Sequence, residues 1–490
     1  MGTGIGDSQG WRGCYPERTP GAPRWRSSSL RQSEPMYLRS LTLKNVKRFR
    51  DLTLSFEKRD GSPRLWTVVI GENGTGKTTL LQAIALAAGG RDRAHQLVSN
   101  PARYRDVREP TSNCLISVKT GSAWLPLAED DLDFEVQEQW ELDLDLTLAV
   151  KPDDSLFSND FVAVPGKVVQ TEVPNKAASG DRSGPVATQP GHFPFLVGYG
   201  VRRFLPDSDR QFSLENPVAK RLETLFDRGE LTATGFNDLL PSTGKDSFSK
   251  LLKDALLRIE DLVPDLVDVE LRGRGGAFSA KALTESHRFA MKQGHSEVRL
   301  PATWLSQGYQ GIIAWIADLL GHAALEAERL VPPEEVRGLV LIDEVDLFLH
   351  PRWQVTLVKS LKSLFPKVQF VVTTHSPLVL SGLEPDEIVR LQADDEGNIV
   401  ESKDKRHPAL MTGSELYSAF FGVRELYPNE LGKDLQRYMF LSSDPYRTDE
   451  EDAEMRKIEP TLRAHDLHPD WEPSPRRPLP DRKAARNGSS

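Results

Sequence analysis

Thr67-Val68-Val69-Ile70-Gly71-Glu72-Asn73-Gly74-Thr75-Gly76-Lys77-Thr78-Thr79 decides the fold of this chain. A short apolar run enters a G-x-x-x-x-G-K-T loop, and a second apolar run, Leu80 to Ala88, leaves it with the length of a helix. Strand, loop and helix in that order are the context in which such a loop holds phosphate. The glycines let successive backbone N–H groups turn inward, at the positive end of the helix that follows. Gly71, Glu72, Asn73, Gly74, Thr75, Gly76, Lys77, Thr78 and Thr79 are therefore expected to line a nucleotide site. Lys77 would bring a point charge to the β- and γ-phosphates, and the Thr78 hydroxyl a ligand for Mg2+.

Three further stretches extend this site. Gly338-Leu339-Val340-Leu341-Ile342-Asp343-Glu344 is an apolar strand that ends in two acids. In phosphate-transferring sites the first acid of such a pair, here Asp343, holds Mg2+, and the second, Glu344, is placed to polarise the attacking water. Val368-Gln369-Phe370-Val371-Val372 is another buried run, and Thr373-Thr374-His375-Ser376-Pro377 follows it. That order sets His375 at a strand end, where its ring can hydrogen-bond a γ-phosphate or the water. Leu305-Ser306-Gln307-Gly308-Tyr309-Gln310 opens a long apolar segment between the loop and the acids. Ser306 and Gly308 at a helix start offer a hydroxyl and free N–H groups, an anion site without its own anion. The economical use of such an element is to cap the γ-phosphate held by another copy of the chain.

Taken together, these pieces resemble the ATP-binding-cassette ATPase head, in the branch of SMC, RecF and OLD-type proteins. Gly71 to Thr78 resembles its Walker A motif, Ser306 to Gly308 the signature, and Leu339 to Glu344 Walker B. Asp346 to Pro351 resembles the D-loop, His375 the switch histidine, and Leu41 to Phe49 the first strand of the branch. "LSQGYQ", "IDEVDLFLHP" and "TTHSPLVL" are closest in style to stand-alone phage-defence ATPases of the Septu and retron-associated kinds. The resemblance implies an α/β fold: a P-loop head with a mixed central sheet, an antiparallel β subdomain, a helical lid insertion and a helical C-terminal extension. It also implies ATP and Mg2+ as cofactors, hydrolysis set up by Glu344, His375 and Lys77, and a homodimer or higher homo-oligomer. In that assembly Ser306 and Gly308 complete the site of the facing copy, and the ATPase controls a separate effector subunit, a nuclease. The alternative is a RecF-like clamp that closes on DNA. Gln307 stands where many relatives carry an acidic or small residue, and no Q-loop glutamine is assigned.

Bulk properties agree with this class. The chain has 490 residues, 38% hydrophobic and 27% charged, enough for a large core and more than one lobe. No stretch nears the roughly 18–20 apolar residues of a membrane span, so no membrane partner is expected. Residues 1–35 are rich in Arg, Ser, Gly and Pro without an apolar core, so they read as a disordered arm and not as a secretion signal. With two cysteines, Cys14 and Cys114, neither a disulfide framework nor a cysteine zinc site is expected, and the chain reads as cytoplasmic. The net charge of −9 leaves nucleic acid only local patches: Arg39, Lys44, Lys47, Arg48 and Arg50, then Arg202 and Arg203, then Arg272 and Arg274.

Residues 36–192 are expected to form an N-lobe with the antiparallel subdomain and a loop, and 193–300 a helical lid. Residues 301–400 would form the C-lobe, and 401–490 a helical extension with a disordered tail. Apolar residues alternate with acids from Leu132 to Val150, the period of a half-buried antiparallel strand and not of a catalytic carboxylate cluster. Phe195 to Gly200 reads as a core strand that delivers Arg202 and Arg203 toward the nucleotide or a partner. Short amphipathic runs at Lys220–Phe226 and Phe248–Leu262 do not sustain a heptad repeat. After Gln392 no strand ends in D-x-D, so a nuclease is sought in a separate subunit.

Overall fold

The computed structural model describes residues 36–109, 112, 114–122, 139–148, 161–164, 169–171, 195–206, 217–229, 231, 242–272, 282–327, 329–404, 406–423, 430–465 and 473–476. The arm expected over 1–35, the loop read at 173–190, Arg274 and residues 477–490 lie outside these. So do the first residues of the alternating acidic stretch.

Strands β1 (Met36–Val46) and β2 (Phe49–Ser55) form an antiparallel hairpin ahead of β3 (Trp66–Gly71), which enters the glycine-rich loop. Helix α1 (Lys77–Gly89) leaves that loop, and α2 (Arg91–Leu97) follows. β4 (Cys114–Ser122), β5 (Gln139–Leu148), β6 (Phe161–Val164) and β7 (Val169–Thr171) extend the hairpin into a six-stranded sheet. Its order is β2-β1-β4-β5-β6, and β7 also pairs with β5. Next come β8 (Leu196–Tyr199), α3 (Pro217–Glu223) and α4 (Ser242–Leu257). β9 (Leu266–Glu270), β10 (Arg288–Gln293) and β11 (Ser296–Leu300) make a three-stranded antiparallel sheet. The chain then runs through α5 (Gln307–Ala327), β12 (Gly338–Ile342), α6 (Pro351–Leu364), β13 (Val368–Thr373), β14 (Ile388–Ala393) and β15 (Ile399–Ser402). Helices α7 (Gly413–Phe421), α8 (Glu430–Ser443) and α9 (Asp449–Ala464) follow, and α8 with α9 encloses a small cluster of Tyr438, Leu441, Met455 and Leu462.

The central sheet has the order β15-β14-β3-β13-β12-β8, parallel from β14 to β8 and antiparallel at the β15 edge. β3, β12 and β13 are buried along their whole length, as continuous apolar runs with both faces covered must be. Alternate residues serve opposite cores. Val69, Leu339, Leu341 and Val371 join α1 and the six-stranded sheet on one face. Val68, Ile70, Val340, Ile342 and Val372 join α4, α5, α6 and β9–β10 on the other. Gln369, buried in β13, accepts from the Leu38 N–H (2.7 Å) and donates to the carbonyls of Leu38 (3.0 Å) and Arg64 (3.0 Å). It ties β1 to the central sheet at the register shift between Leu38 and Ser40. An amide is suited to that place because it supplies both an acceptor for the Leu38 N–H and a donor for its carbonyl.

The stretch 193–300, expected to be a helical lid, differs from that expectation. It contributes β8 to the central sheet and the strands β9, β10 and β11, alongside α3 and α4. Charged residues broke the apolar pattern there: the turn of β10–β11 is exposed, and one face of β11 is exposed and ion-paired, as in Arg299 with Glu297 (3.1 Å). The central sheet also runs past residue 400, since β15 ends at Ser402.

Candidate functional site

The strand order sets β13 between the strand that enters the loop and the strand that carries the acids, so three strand ends meet at one edge. Their side chains form a connected chain of hydrogen bonds. The Thr78 hydroxyl, in the first turn of α1, donates to Asp343 Oδ2 at 2.7 Å. The Thr373 hydroxyl, at the end of β13, donates to Asp343 Oδ1 at 2.5 Å and accepts from the Glu344 N–H at 2.8 Å. Asp343 is buried, so both of its oxygens are fixed by neighbouring hydroxyls.

Lys77 is buried as well, and its Nζ donates to the carbonyls of Gly71 (2.8 Å) and Glu72 (3.0 Å), across the loop. Burial pushes this ammonium below its ordinary pKa, against the opposing pull of Asp343 and Glu344. Thr75 closes the loop from within, its hydroxyl donating to the Glu72 carbonyl at 2.8 Å. Gly76 needs the left-handed backbone (φ 86), and a Cβ there would stand 2.7 Å from the Phe49 ring. A glycine is required on both counts. Glu72, Asn73, Gly74 and Thr78 are exposed, so the rim of the loop faces outward.

The turn between β1 and β2 supports the loop from the side. Lys47 Nζ donates to the Thr79 hydroxyl at 2.9 Å, and Arg48 donates to the carbonyls of Gly74 (3.1 Å) and Gly397 (3.2 Å). Other basic residues singled out for nucleic acid are also engaged: Arg39 with Glu57 (2.7 Å), Arg50 with Glu109 (3.1 Å) and Arg272 with Glu270 (2.9 Å). Arg202 is exposed and Arg203 is buried.

His375 is exposed beyond β13, on a turn held by its neighbours. The Thr374 hydroxyl donates to Asp346, the Ser376 N–H to the Thr374 hydroxyl (2.9 Å), and the Ser376 hydroxyl to Gln354 (2.7 Å). Ser306 is exposed at the head of α5, its carbonyl accepting from the Gln310 N–H at 3.0 Å. Gly308 is buried, and a Cβ there would meet the Phe348 carbonyl at 2.7 Å. Tyr309 packs on Trp353 with ring centroids 4.6 Å apart and donates to Asp265 at 3.1 Å. Burial and the Asp265 carboxylate push its phenol up to about 12. The head of α5 is thus anchored through Gly308 and Tyr309, while Ser306 and Gln307 point to solvent.

Thr78, Asp343, Thr373 and the Glu344 backbone therefore lie in one hydrogen-bonded network, and Lys77 is held beside it by the carbonyls of the loop. Ser306 and Gly308 sit on a different surface, beside the D-loop. Thr373 and Thr374 carry no expected role in the sequence, although a threonine doublet at a strand end beside an acid pair is a signal for one, and Arg48, expected in a basic patch, braces the loop instead. A family profile described as "AAA domain, putative AbiEii toxin, Type IV TA system" matches residues 202–381, and one described as "AAA domain" matches 40–115.

Over these two stretches the chain is similar to ABC-type AAA-family ATPase cores. Among curated relatives, "Septu protein PtuA" of Bacillus mycoides (strain KBAB4) is 25% identical over 427 residues, 87% of this chain and 50% of its own length. "Retron Ec83 probable ATPase" of Escherichia coli is 42% identical over 93 residues, 19% of this chain and 17% of its own. "Retron Vc95 probable ATPase" of Vibrio cholerae is 44% identical over 84 residues, 17% of this chain and 16% of its own. The chain thus spans half or less of the length of these relatives. An SMC head bound to the C-winged helix domain of ScpA aligns over 75% of this chain and 98% of its own, at 14% identity and a TM-score of 0.41. That likeness is too loose to add to the topology above. Among the described residues, no helix of the ATPase core is long and apolar enough to cross a membrane.

The core fits a magnesium nucleotide. Its left-handed glycines at 74 and 76 form a cradle that a Cβ would fill or strain. Its donor set toward a metal is a hydroxyl and a carboxylate, the hard oxygens that Mg2+ prefers.

Proposed function

We propose that this chain hydrolyses ATP in a homodimer or higher homo-oligomer, as the sensor-regulator of an anti-phage defence complex. The observation that carries the chemistry is the network Thr78–Asp343–Thr373–Glu344, which fixes the P-loop and the acid pair in one frame. Lys77 and the N–H groups of Gly74 to Thr79 bind the phosphates. Mg2+, held by Thr78 and Asp343, supplies charge neutralisation at the β- and γ-phosphates. Glu344 orients the water and takes its proton, and His375, exposed beside it in strand order, orients the γ-phosphate.

The outward-facing Ser306 supports a site completed from the partner copy. Its hydroxyl stands at the head of α5, where a helix start suits an anion, while this chain's own P-loop would bind its nucleotide at a separate place. A γ-phosphate then gains donors from both copies, so nucleotide binding favours the closed pair and hydrolysis releases it. The regulatory role rests on the likeness to the Septu and retron proteins, and the effector it would control is a separate subunit, in our reading a nuclease. A DNA clamp of the RecF kind is less well supported, because Arg39, Arg50 and Arg272 are engaged with acids.

Glu344→Gln tests the assignment. Nucleotide affinity should be kept and turnover should fall about 10²–10⁴-fold, the usual contribution of a general base. Closed assemblies should accumulate with ATP in size-exclusion chromatography. Turnover at the unmutated rate would remove Glu344 from the mechanism.

A further inference from the structure

Arg203 has the chemistry of a solvent-exposed residue and the location of a core one. It is 5% exposed, in the loop that leaves β8. One arm of its guanidinium donates to the carbonyls of Gly200 (2.9 Å) and Asp343 (2.7 Å), and the other to the carbonyl of Glu344. Burial pushes its pKa down to about 10, against the opposing pull of Asp343, Asp346 and Glu344. A charge is costly to bury unless it is fully engaged, and here the planar fork meets carbonyls at fixed angles.

What the fork holds is itself unusual. Glu344 lies in the left-handed region (φ 48), which a side chain with a Cβ rarely adopts without restraint. Its N–H donates to the Thr373 hydroxyl (2.8 Å), and the next N–H, of Val345, donates to the Thr373 carbonyl (2.9 Å). Arg203 secures the carbonyl side of the same residue. The bend at 344 sets where its carboxylate stands, and it is held from both flanks. The neighbouring residue reaches outward. Phe204 is 47% exposed, and its ring lies 6.0 Å from that of Phe348, which is 49% exposed in the D-loop.

We propose that the loop from Gly200 to Leu205 is a brace: Arg203 is a positioning residue that fixes the bend at Glu344, and Phe204 links that brace to the D-loop. The proposal rests on Glu344 being the group that activates water. Loosening the brace misplaces that carboxylate without touching the phosphate-binding loop. Nucleotide binding and hydrolysis should therefore separate.

The experiment compares the unmutated chain, Glu344→Gln, Arg203→Lys and Phe204→Ala. Affinity is read with a non-hydrolysable fluorescent ATP analogue, hydrolysis by single turnover, and local backbone opening by hydrogen exchange over residues 343–347. Lysine keeps the charge but replaces the planar two-armed fork by a single nitrogen, which cannot reach the carbonyls from two separate positions. Arg203→Lys should leave affinity within about threefold, slow hydrolysis about tenfold or more, and speed exchange in that segment alone. Phe204→Ala should show the same pattern with a loss of about threefold.

Hydrolysis unchanged in Arg203→Lys, or affinity and rate falling together with global exchange, overturns the brace. If Arg203→Lys does not fold, Phe204→Ala decides alone: its exposed ring can be removed without opening the core, and an unchanged rate overturns the proposal. If Glu344→Gln turns over normally, the reading of Glu344 has failed. If it is inactive while both brace variants match the unmutated chain, only the brace has failed.

Discussion

The two halves of the nucleotide machinery are built in opposite ways. Around the P-loop, Lys77, Asp343 and Thr373 are buried; Thr373 and Thr78 bond to the two oxygens of Asp343, and Lys77 bonds to the loop carbonyls of Gly71 and Glu72. Around the head of α5, Ser306 and Gln307 are exposed, Trp304 is 74% exposed, and the Phe204–Phe348 pair stands half in solvent. The first half is complete within one chain. The second presents large apolar side chains and free N–H groups to whatever meets it. Exposed aromatic side chains clustered beside polar groups mark an interaction surface more often than scattered single ones do. The contrast fits the proposed arrangement, in which one chain binds the nucleotide and a facing copy completes its site.

Breaking the first half should have the largest effect. Lys77→Ala removes a charged donor from a buried position, and a charge-assisted bond of that kind contributes up to about 3 kcal/mol. Nucleotide affinity should fall roughly a hundredfold, read by titration with the fluorescent analogue. Affinity retained in this variant would refute the phosphate-binding role of the loop.

Breaking the second half should spare binding. Ser306→Arg adds bulk at an exposed position, so the fold and the affinity for nucleotide should be kept while turnover falls about tenfold or more. Mixing sharpens the comparison. A Lys77→Ala copy still offers Ser306, and a Ser306→Arg copy still offers a P-loop. Two impaired proteins should therefore turn over faster when combined than the sum of the two alone. If the mixture shows no such gain, or if Ser306→Arg alone turns over normally, the shared site is wrong.

The same contrast explains how much could be read in advance. Pieces of the P-loop half are local: Gly71 to Thr79 and Leu339 to Glu344 are contiguous, and buried parallel strands announce themselves as apolar runs. The connections between them are not local. Thr373 to Asp343 and Arg48 to Gly74 depend on strand order, which no single stretch encodes. Arg203 was visible as a basic residue after a core strand, but its burial against three carbonyls was not. The strands β9 to β11 were missed because their outer faces carry paired charges that mask the alternation. The stretch expected to be helical therefore holds these strands beside α3 and α4.

The finest test lies within α5, where two glycines a turn apart face opposite surroundings. Replacing a helical glycine by alanine usually stabilises by about 1 kcal/mol, since the freer backbone of the unfolded chain is restrained. At Gly311 nothing lies within 4 Å of the new Cβ, so that gain should appear whole. At Gly308 the new Cβ would stand 2.7 Å from the Phe348 carbonyl, a backbone atom in a residue already held at φ 62. Overpacking of this kind costs about 1–3 kcal/mol, enough to cancel or reverse the gain. Gly311→Ala should therefore raise the melting temperature and Gly308→Ala should leave it level or lower it. Gly308→Ala should also slow turnover by displacing the D-loop, and Gly311→Ala should not. Equal stabilisation by both would mean that α5 does not press on the D-loop at Gly308.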